Sequence, residues 1–345
     1  MDLAIVTILG LDGITNGAIY ALVAIALVLV FAVTRVVFIP QGEFVAFGAL
    51  TMALFQSGAV PGTAWLLLMM VVAAAVLDAK QALAERWPAA RMARHALREY
   101  ALPLAAVALT VLLAPRKPPL VVQALLTLAL VTPMGPLVYR LAYRALADST
   151  VLVLLIVSVG VHFALTGLGL LFFGAEGFRT PAFWDERFSL GAMALSGQTL
   201  IIFAASAALI VALFLFFDRT LQGKALRATS VNRTGARLMG ISTDGAGSLA
   251  FTMAAFIGAL SGLLIGPSTT IFYDSGFMIG LKGFVAAVFA GLTSFPLALA
   301  GAVGVGLIES FGSFWASAFK EEIVFAAILP VLLWRSVVDK HHEEH

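Results

Sequence analysis

The sequence predicts an all-α, polytopic integral membrane bundle of about nine to eleven transmembrane or partly re-entrant helices. Two observations carry that reading. Of 345 residues, 61% are hydrophobic and 12% charged, and the mean hydropathy is +1.02, whereas a soluble domain carries roughly a quarter charged residues. Apolar runs of about 15 to 25 residues also follow one another along the chain, without the alternation expected of a lipid-facing barrel strand. A single transmembrane domain over residues 1–345 accommodates them all.

Taken in order, the apolar runs place spans at 14–34, 41–57, 62–78, 101–114, 120–139, 151–174, 197–217, 247–266, 277–294, 297–316 and 323–338. Several fall short of the roughly 20 residues that a perpendicular crossing needs, so these are expected to be broken, re-entrant or buried inside the bundle. The first residues, "MDLAIVTILG", lack a basic n-region and a small-residue cleavage site, so the N-terminus is expected to be retained.

Lysine and arginine in the short loops set the orientation. Residues 218–246 carry Arg219, Lys224, Arg227, Arg233 and Arg237; 78–99 carry Lys80, Arg86, Arg91, Arg94 and Arg98; 140–149 carry Arg140 and Arg144. These loops are read as cytoplasmic. The stretch "GAEGFRTPAFWDERFSLGAM" balances its arginines with acids and holds Phe183 and Trp184, which suit an interface, so it is read as external. The N-terminus then lies outside and the C-terminus inside, with Arg116 and Lys117 breaking the rule. Residues 79–100, interrupted by Pro88, read as an amphipathic helix lying at the headgroups, followed by a short span. The tail "KHHEEH" reads as a solvated end, and no metal site is expected.

Gly258, Gly262 and Gly266 recur every four residues, as do Gly13 and Gly17, which marks faces where helix backbones approach closely. Three charges, Glu43, Lys282 and Glu309, lie in or beside apolar runs. An ionised side chain at membrane depth costs about 2.5–3.5 kcal/mol on the lower scales, so each is expected to face the interior, a cavity or an interface. The bland alternatives are a helix-end snorkelling lysine and capped or satisfied glutamates. Ser158 and His162 stand four apart on one helix. Ser261 in "GALSG" has the setting of an intramembrane serine nucleophile, but it belongs to the glycine-packing face, and a lone intramembrane histidine is better read as a packed, hydrogen-bonded group.

Other classes are excluded or left without support. Cysteine is absent, so there is no disulfide or thiolate site. No G-x-x-x-x-G-K-[ST] loop occurs, so any ATP and magnesium would be held by other subunits and no cofactor is assigned to this chain. The net charge of +2 reflects basic loops and does not indicate nucleic acid. An ion-coupled secondary transporter would call for inverted repeats, and none is evident.

Several motifs together resemble the LivH-type permeases of branched-chain amino-acid ABC importers. Gly17 to Leu22 match the G-x-x-Y-A-L of the family's first helix, and Gly42-Glu43 its Gly-Glu pair. "GFMIGLKGFVAAVFAGLTSFPLALAGAVGVGLIES" is similar to its signature, with Lys282, Gly291, Pro296, Gly301 and Glu309 in place, and "LVYRLAYRALADSTVLVLLIVSVGV" resembles its central helix and loop. "GKALRATSVNRTGARLMGISTD" looks like its cytoplasmic loop. The resemblance covers about 10–77 and 134–335, leaving 79–119 as an apparent insertion. It implies an importer with a LivM-like second permease, two ATP-binding cassette subunits and an extracytoplasmic solute-binding protein, in a bacterial or archaeal cytoplasmic (inner) membrane. Substrates would be branched-chain or other hydrophobic amino acids, with aromatic carboxylates, urea or short amides as alternatives. The mechanism would be alternating access.

Residues 225–240 would then be the coupling helix against an ATPase. Arg227, Arg233 and Arg237 would supply charge, Leu226, Val231, Leu238 and Met239 apolar anchors, Gly235 close approach and Gly240 a turn. Asn16, Tyr20, Gln41, Glu43, Lys282 and Glu309 are the candidates for lining or gating the pathway. One departure stands out: the family reads close to N-F-A-H-G-E where this chain has "FIPQGE", so Gln41 replaces a histidine.

Overall fold

The computed structural model describes residues 3–190, 193–292 and 294–333; the tail "KHHEEH" and the end of the expected 323–338 span lie outside the described residues. Eight of its helices are long and apolar enough to cross a membrane, and two shorter ones are tucked among them. The bundle centres on α1 (Leu3–Thr34), which begins eleven residues before the predicted 14–34 span and is buried along most of its length. Its main neighbour is α13 (Phe295–Trp315), packed antiparallel: a Cβ at Gly17 would sit 2.8 Å from the Cα of Val303, while one at Gly306 would strike the Gly13 carbonyl. Without a hydrophobic drive between helices in lipid, such backbone contact supplies the dispersion energy that holds them together.

α1 ends at one face of the bundle, and the chain then turns back into it. Residues 35–40 are non-helical, with Arg35 at φ +63° and a turn at Ile39–Pro40, and Phe38 is fully buried against the rings of Phe44, Tyr143 and Phe251. Helix α2 (Gln41–Ser57) therefore starts deep inside, behind Pro40. Its depth is fixed by two partners. Gln41 donates to the carbonyl of Ala254, the midpoint of α11 (Thr243–Ile265), and Glu43 meets His162, the midpoint of α7 (Val151–Phe173). The other short helix, α12 (Ser275–Phe289), starts at the same depth, since Phe277 stacks beside His162 with ring centroids 4.8 Å apart. The N-termini of α2 and α12 thus abut halfway through the bundle. Gly42, Gly276 and Gly280 make that possible, because a Cβ on Gly42 would overlap the Gly276 carbonyl.

Segment 79–119 differs from its expected form. Instead of a helix lying at the headgroups and a short span, α3 (Gly62–Ala84) and α4 (Ala89–Leu113) are continuous helices that form an antiparallel hairpin. Pro88 occupies the N-cap of α4 with φ −65°, so it starts a helix instead of breaking one. The hairpin is pinned near its turn by Asp78, which accepts from Arg140, from His95 Nε2 at 2.9 Å and from the Tyr100 hydroxyl at 2.5 Å. At its tip Gln81 and Trp87 both donate to Glu85, which holds that exposed carboxyl below its ordinary range.

α5 (Leu120–Val131) continues through α6 (Met134–Val138) and a π-helical turn to Leu146, interrupted at Pro133. A β-hairpin, β1 (Arg187–Leu190) with β2 (Met193–Ser196), lies between α7 and α8 (Gly197–Arg219). This linker shares one end of the bundle with the α11–α12 loop, through the Phe178–Ile271 bridge and the bond from Arg179 to the Pro267 carbonyl. The opposite end carries α9 (Leu221–Val231), α10 (Arg233–Leu238) and the turn around Asp148.

The packing of Gly42 gives a direct test. Gly42→Ala is expected to cost on the order of 1–3 kcal/mol by overpacking, read as a lowered Tm in detergent. Gly160→Ala, where a Cβ would meet nothing within 4 Å, is expected to leave Tm unchanged.

Candidate functional site

The candidate residues fall into two buried polar clusters and one exposed helix pair. In the first cluster Glu43, only 1% exposed, is the third residue of α2, so its carboxylate lies at the positive end of a helix dipole. His162 Nδ1 contacts Oε1 at 2.6 Å. Glu43 Oε2 and Gln41 Oε1 have no hydrogen-bond partner among the described residues, which leaves two buried acceptors two residues apart at the meeting of two helix ends. Such atoms can receive N–H donors, and leaving them unfilled costs stability. His162 is the member of this cluster nearest the surface, flanked by the exposed rings of Phe163 and Phe277.

The second cluster joins four helices. Lys282 on α12 reaches Glu309 on α13 at 2.5 Å and Glu321 on α14 (Lys320–Ala326) at 3.1 Å. The Tyr20 hydroxyl of α1 donates to the other Glu309 oxygen at 2.6 Å, and the ammonium lies 5.7 Å from the centre of the Tyr20 ring. Lys282 is thus held within the bundle by two carboxylates and does not snorkel to a helix end. Asn16, one turn from Tyr20, is partly exposed and makes no side-chain hydrogen bond among the described residues. The structure therefore brings Tyr20, Lys282 and Glu309 together, brings Gln41 and Glu43 together, and keeps the two groups apart with α12 between them.

Sequence reasoning took His162 for a packed, hydrogen-bonded group, which its contact with Glu43 makes it, without placing it in the candidate site, and left Glu321 out altogether. The signal for His162 was its place in the middle of an apolar run, four residues after Ser158; both lie on the narrow buried stripe of α7. Glu321 sits in "FKEEIVF", where nothing local separates it from the neighbouring Glu322. Ser261 hydrogen-bonds its own helix at the Ile257 carbonyl, so no nucleophile is assembled with His162. In the glycine row, a Cβ at Gly258 would approach Phe44 Cβ at 2.7 Å, one at Gly262 would overlap the Val45 carbonyl, and one at Gly266 would lie 2.9 Å from Thr180 Oγ1.

The expected single helix over 225–240 is two helices. Asn232, extended at φ −149° and ψ 100°, ends α9 and caps α10 by accepting from the Gly235 amide at 2.8 Å. Leu226 is also not an exposed anchor: it is 1% exposed, packed with Leu29, Val33 and Phe217. Arg233 donates to the Ala147 carbonyl, while Arg237 donates to Thr243 Oγ1 and Asp148. Those arginines tie the pair to the bundle, leaving Arg227, Val231, Leu238 and Met239 facing outward, the last three at 80–84% exposure. Gly235 touches only the Asn232 side chain, and Gly240, at φ +80°, makes the left-handed turn that ends α10.

The family described as "Branched-chain amino acid transport system / permease component" matches residues 99–333. The chain belongs to that permease family. Its match starts inside the 79–119 segment. Among curated proteins, the permease is 28% identical over 208 residues to the high-affinity branched-chain amino acid transport system permease protein BraD of Pseudomonas aeruginosa, covering 58% of this chain and 68% of that one. It is 29% identical over 201 residues to the corresponding LivH of Escherichia coli, covering 56% and 65%. A solved structure, PsaBC from Streptococcus pneumoniae in complex with Fab, aligns over 93% of the permease and 88% of that chain at 11% identity with a TM-score of 0.41, a likeness too low to carry any argument.

The Lys282 cluster is testable by a double-mutant cycle. Lys282→Met strands two carboxylates and is expected to cost about 3–5 kcal/mol. Lys282→Met/Glu309→Gln keeps a partner for Tyr20, removes one stranded charge, and is expected to recover most of the loss in a detergent unfolding series.

Proposed function

We propose that this permease is one membrane subunit of an ATP-driven importer, and that it forms the translocation path with a second, LivM-like permease. Two ATPase subunits would bind ATP and magnesium, and an extracytoplasmic binding protein would deliver branched-chain or other hydrophobic amino acids. The observation that carries this reading is the α9–α10 pair. Val231, Leu238 and Met239 stand almost fully exposed beside Arg227 on short helices at one end of the bundle. Apolar side chains on a rigid, arginine-tethered platform are what a protein partner needs for a buried contact with charge complementarity.

The α9–α10 end would face the cytoplasm, which puts the N-terminus outside and agrees with the basic residues clustered there. Coupling would work through the arginine tethers. A push on α10 passes through Arg233 and Arg237 to the Ala147–Asp148 turn, and from there into α7, which carries His162. The Glu43 and Gln41 acceptors at mid-depth would meet the ammonium of a passing amino acid. ATP shifts the balance between inward and outward forms only as far as it binds one of them better.

Purification of the full chain from its native membrane is expected to recover a second permease and two ATPases with measurable ATPase activity. A chain that purifies alone and moves solute alone in liposomes would refute the importer reading. Leu238→Glu/Met239→Glu is expected to abolish uptake while leaving the permease in the membrane, with ATPase turnover no longer linked to transport. Glu43→Gln, assayed in the assembled complex, is expected to reduce uptake about tenfold, equivalent to roughly 1.4 kcal/mol, with assembly intact by size-exclusion chromatography.

A further inference from the structure

A groove of about 730 Å³ runs between α4, the α5–α6 helix and α11. Its lining is largely apolar, with the exposed Leu102 and Leu109 of α4 facing Leu128 and Phe256, and its end toward α9–α10 carries Arg98, Arg140, Arg144 and His95 together with Glu99 and Asp244. Depth identifies the occupant. Along α11 the groove extends from Asp244 to Phe256, twelve residues or about 18 Å of rise. Half of a hydrocarbon core of roughly 30 Å is about 15 Å, so the groove begins at headgroup level and ends near the bilayer midplane. It is as long as one leaflet.

The rim charges are not equivalent. Arg140 is committed to Asp78 and Glu99, and Arg144 to Asp244 at 3.0 Å. No ion pair engages Arg98 among the described residues, and Arg94 and Arg91 continue its row one and two turns further along α4. An apolar slot one leaflet deep, closed at the headgroup end by an uncommitted arginine and backed by two more, is complementary to a lipid that carries a negative phosphate.

We propose that this groove binds one anionic phospholipid from the leaflet at the α9–α10 end, its phosphate on Arg98 and one acyl chain along α11. Segment 79–119 thereby acquires a role, because α4 supplies one wall and the headgroup arginine. The inference rests only on the bundle spanning the membrane, not on the importer assignment.

The test uses the full-length chain in the complex it forms in its native membrane, delipidated by detergent exchange and titrated with phosphatidylglycerol or phosphatidylcholine. Tm and lipid retained in native mass spectrometry are the readouts. Phosphatidylglycerol is expected to bind about fivefold more tightly than phosphatidylcholine, and Arg98→Gln to bring the two to parity, since one arginine near a membrane surface is worth roughly that factor. Ala129→Trp, which fills the slot from its exposed side, is expected to remove the retained lipid. Equal binding of the two lipids by the wild type, or a preference unchanged in Arg98→Gln, overturns the proposal. So does a shift of equal size with inorganic phosphate alone, which would leave the apolar slot without a role. Crosslinking of Ala129→Cys to a partner protein would make the groove a subunit interface and overturn it equally.

Discussion

The position of α12 is the constraint on which the rest of the bundle depends. This helix is only fifteen residues long, begins halfway across the bundle, and is gripped on two sides. Phe277, in its first turn, lies against His162, and Lys282 lies among Glu309, Glu321 and Tyr20. Five residues correspond to about 140° around a helix, so the two contacts are on nearly opposite faces. The glycines at Gly276 and Gly280 then let α2 press its own N-terminus against the same helix. Shifting α12 along its axis would separate Lys282 from its carboxylates and the α2 junction from its glycine seat at once. Discrete alternative arrangements are therefore favoured over continuous sliding, because packed interfaces of this kind are bistable and not elastic.

Burying the Lys282 cluster carries a desolvation cost, and structural specificity is one return on it. Two carboxylates and one ammonium leave a net negative charge among apolar helices, partly relieved by Lys320, whose Nζ is 3.8 Å from Glu321. An apolar replacement of similar volume would serve packing as well. What it would not do is name a unique register among helices whose surfaces are nearly uniform alanine, valine, leucine and glycine. Lys282 has to find Glu309, and Glu309 has to find Tyr20, so α1, α12, α13 and α14 have one arrangement in which every charge is answered. Glu43 and His162 do the same for α2 and α7.

Much of this was legible in the sequence, and the limits have physical causes. The membrane class and its all-helical character follow from composition and run length, because lipid imposes both, while the eleven expected runs resolve into eight crossing-length helices and shorter ones among the described residues. Length against bilayer thickness marked several runs as too short without separating them: 41–57 and 277–294 are short helices inside the bundle, whereas 62–78 and 101–114 lie within α3 and α4, which are long enough to cross. Glu43, Lys282 and Glu309 announced themselves by charge. Which charge meets which did not, because the pairings span 119 residues for Glu43–His162 and 289 for Tyr20–Glu309, and periodicity holds no information at that range. The misreading at Pro88 has a local cause, since a residue that breaks a helix can also begin one, and the single helix expected over 225–240 overlooked that an asparagine can cap a new helix in its midst. Proline at 88 starts α4 and asparagine at 232 caps α10.

Gln41 shows how a local departure can be absorbed by the fold. The resemblance led to an expected histidine two residues before Glu43, where this chain has glutamine. In the structure Gln41 turns its amide nitrogen to the Ala254 carbonyl and tethers α2 to α11. The imidazole that meets Glu43 is that of His162, on α7. The carboxylate is therefore partnered by a side chain on a helix whose outer surface is largely exposed, and whose first turn follows the Ala147–Asp148 segment that holds Arg233 and Arg237. The Glu43–His162 contact ties the buried acidic group at mid-depth to the helix that starts at the end of the bundle where α9 and α10 protrude. A single element, α7, then connects the two ends of the proposed mechanism.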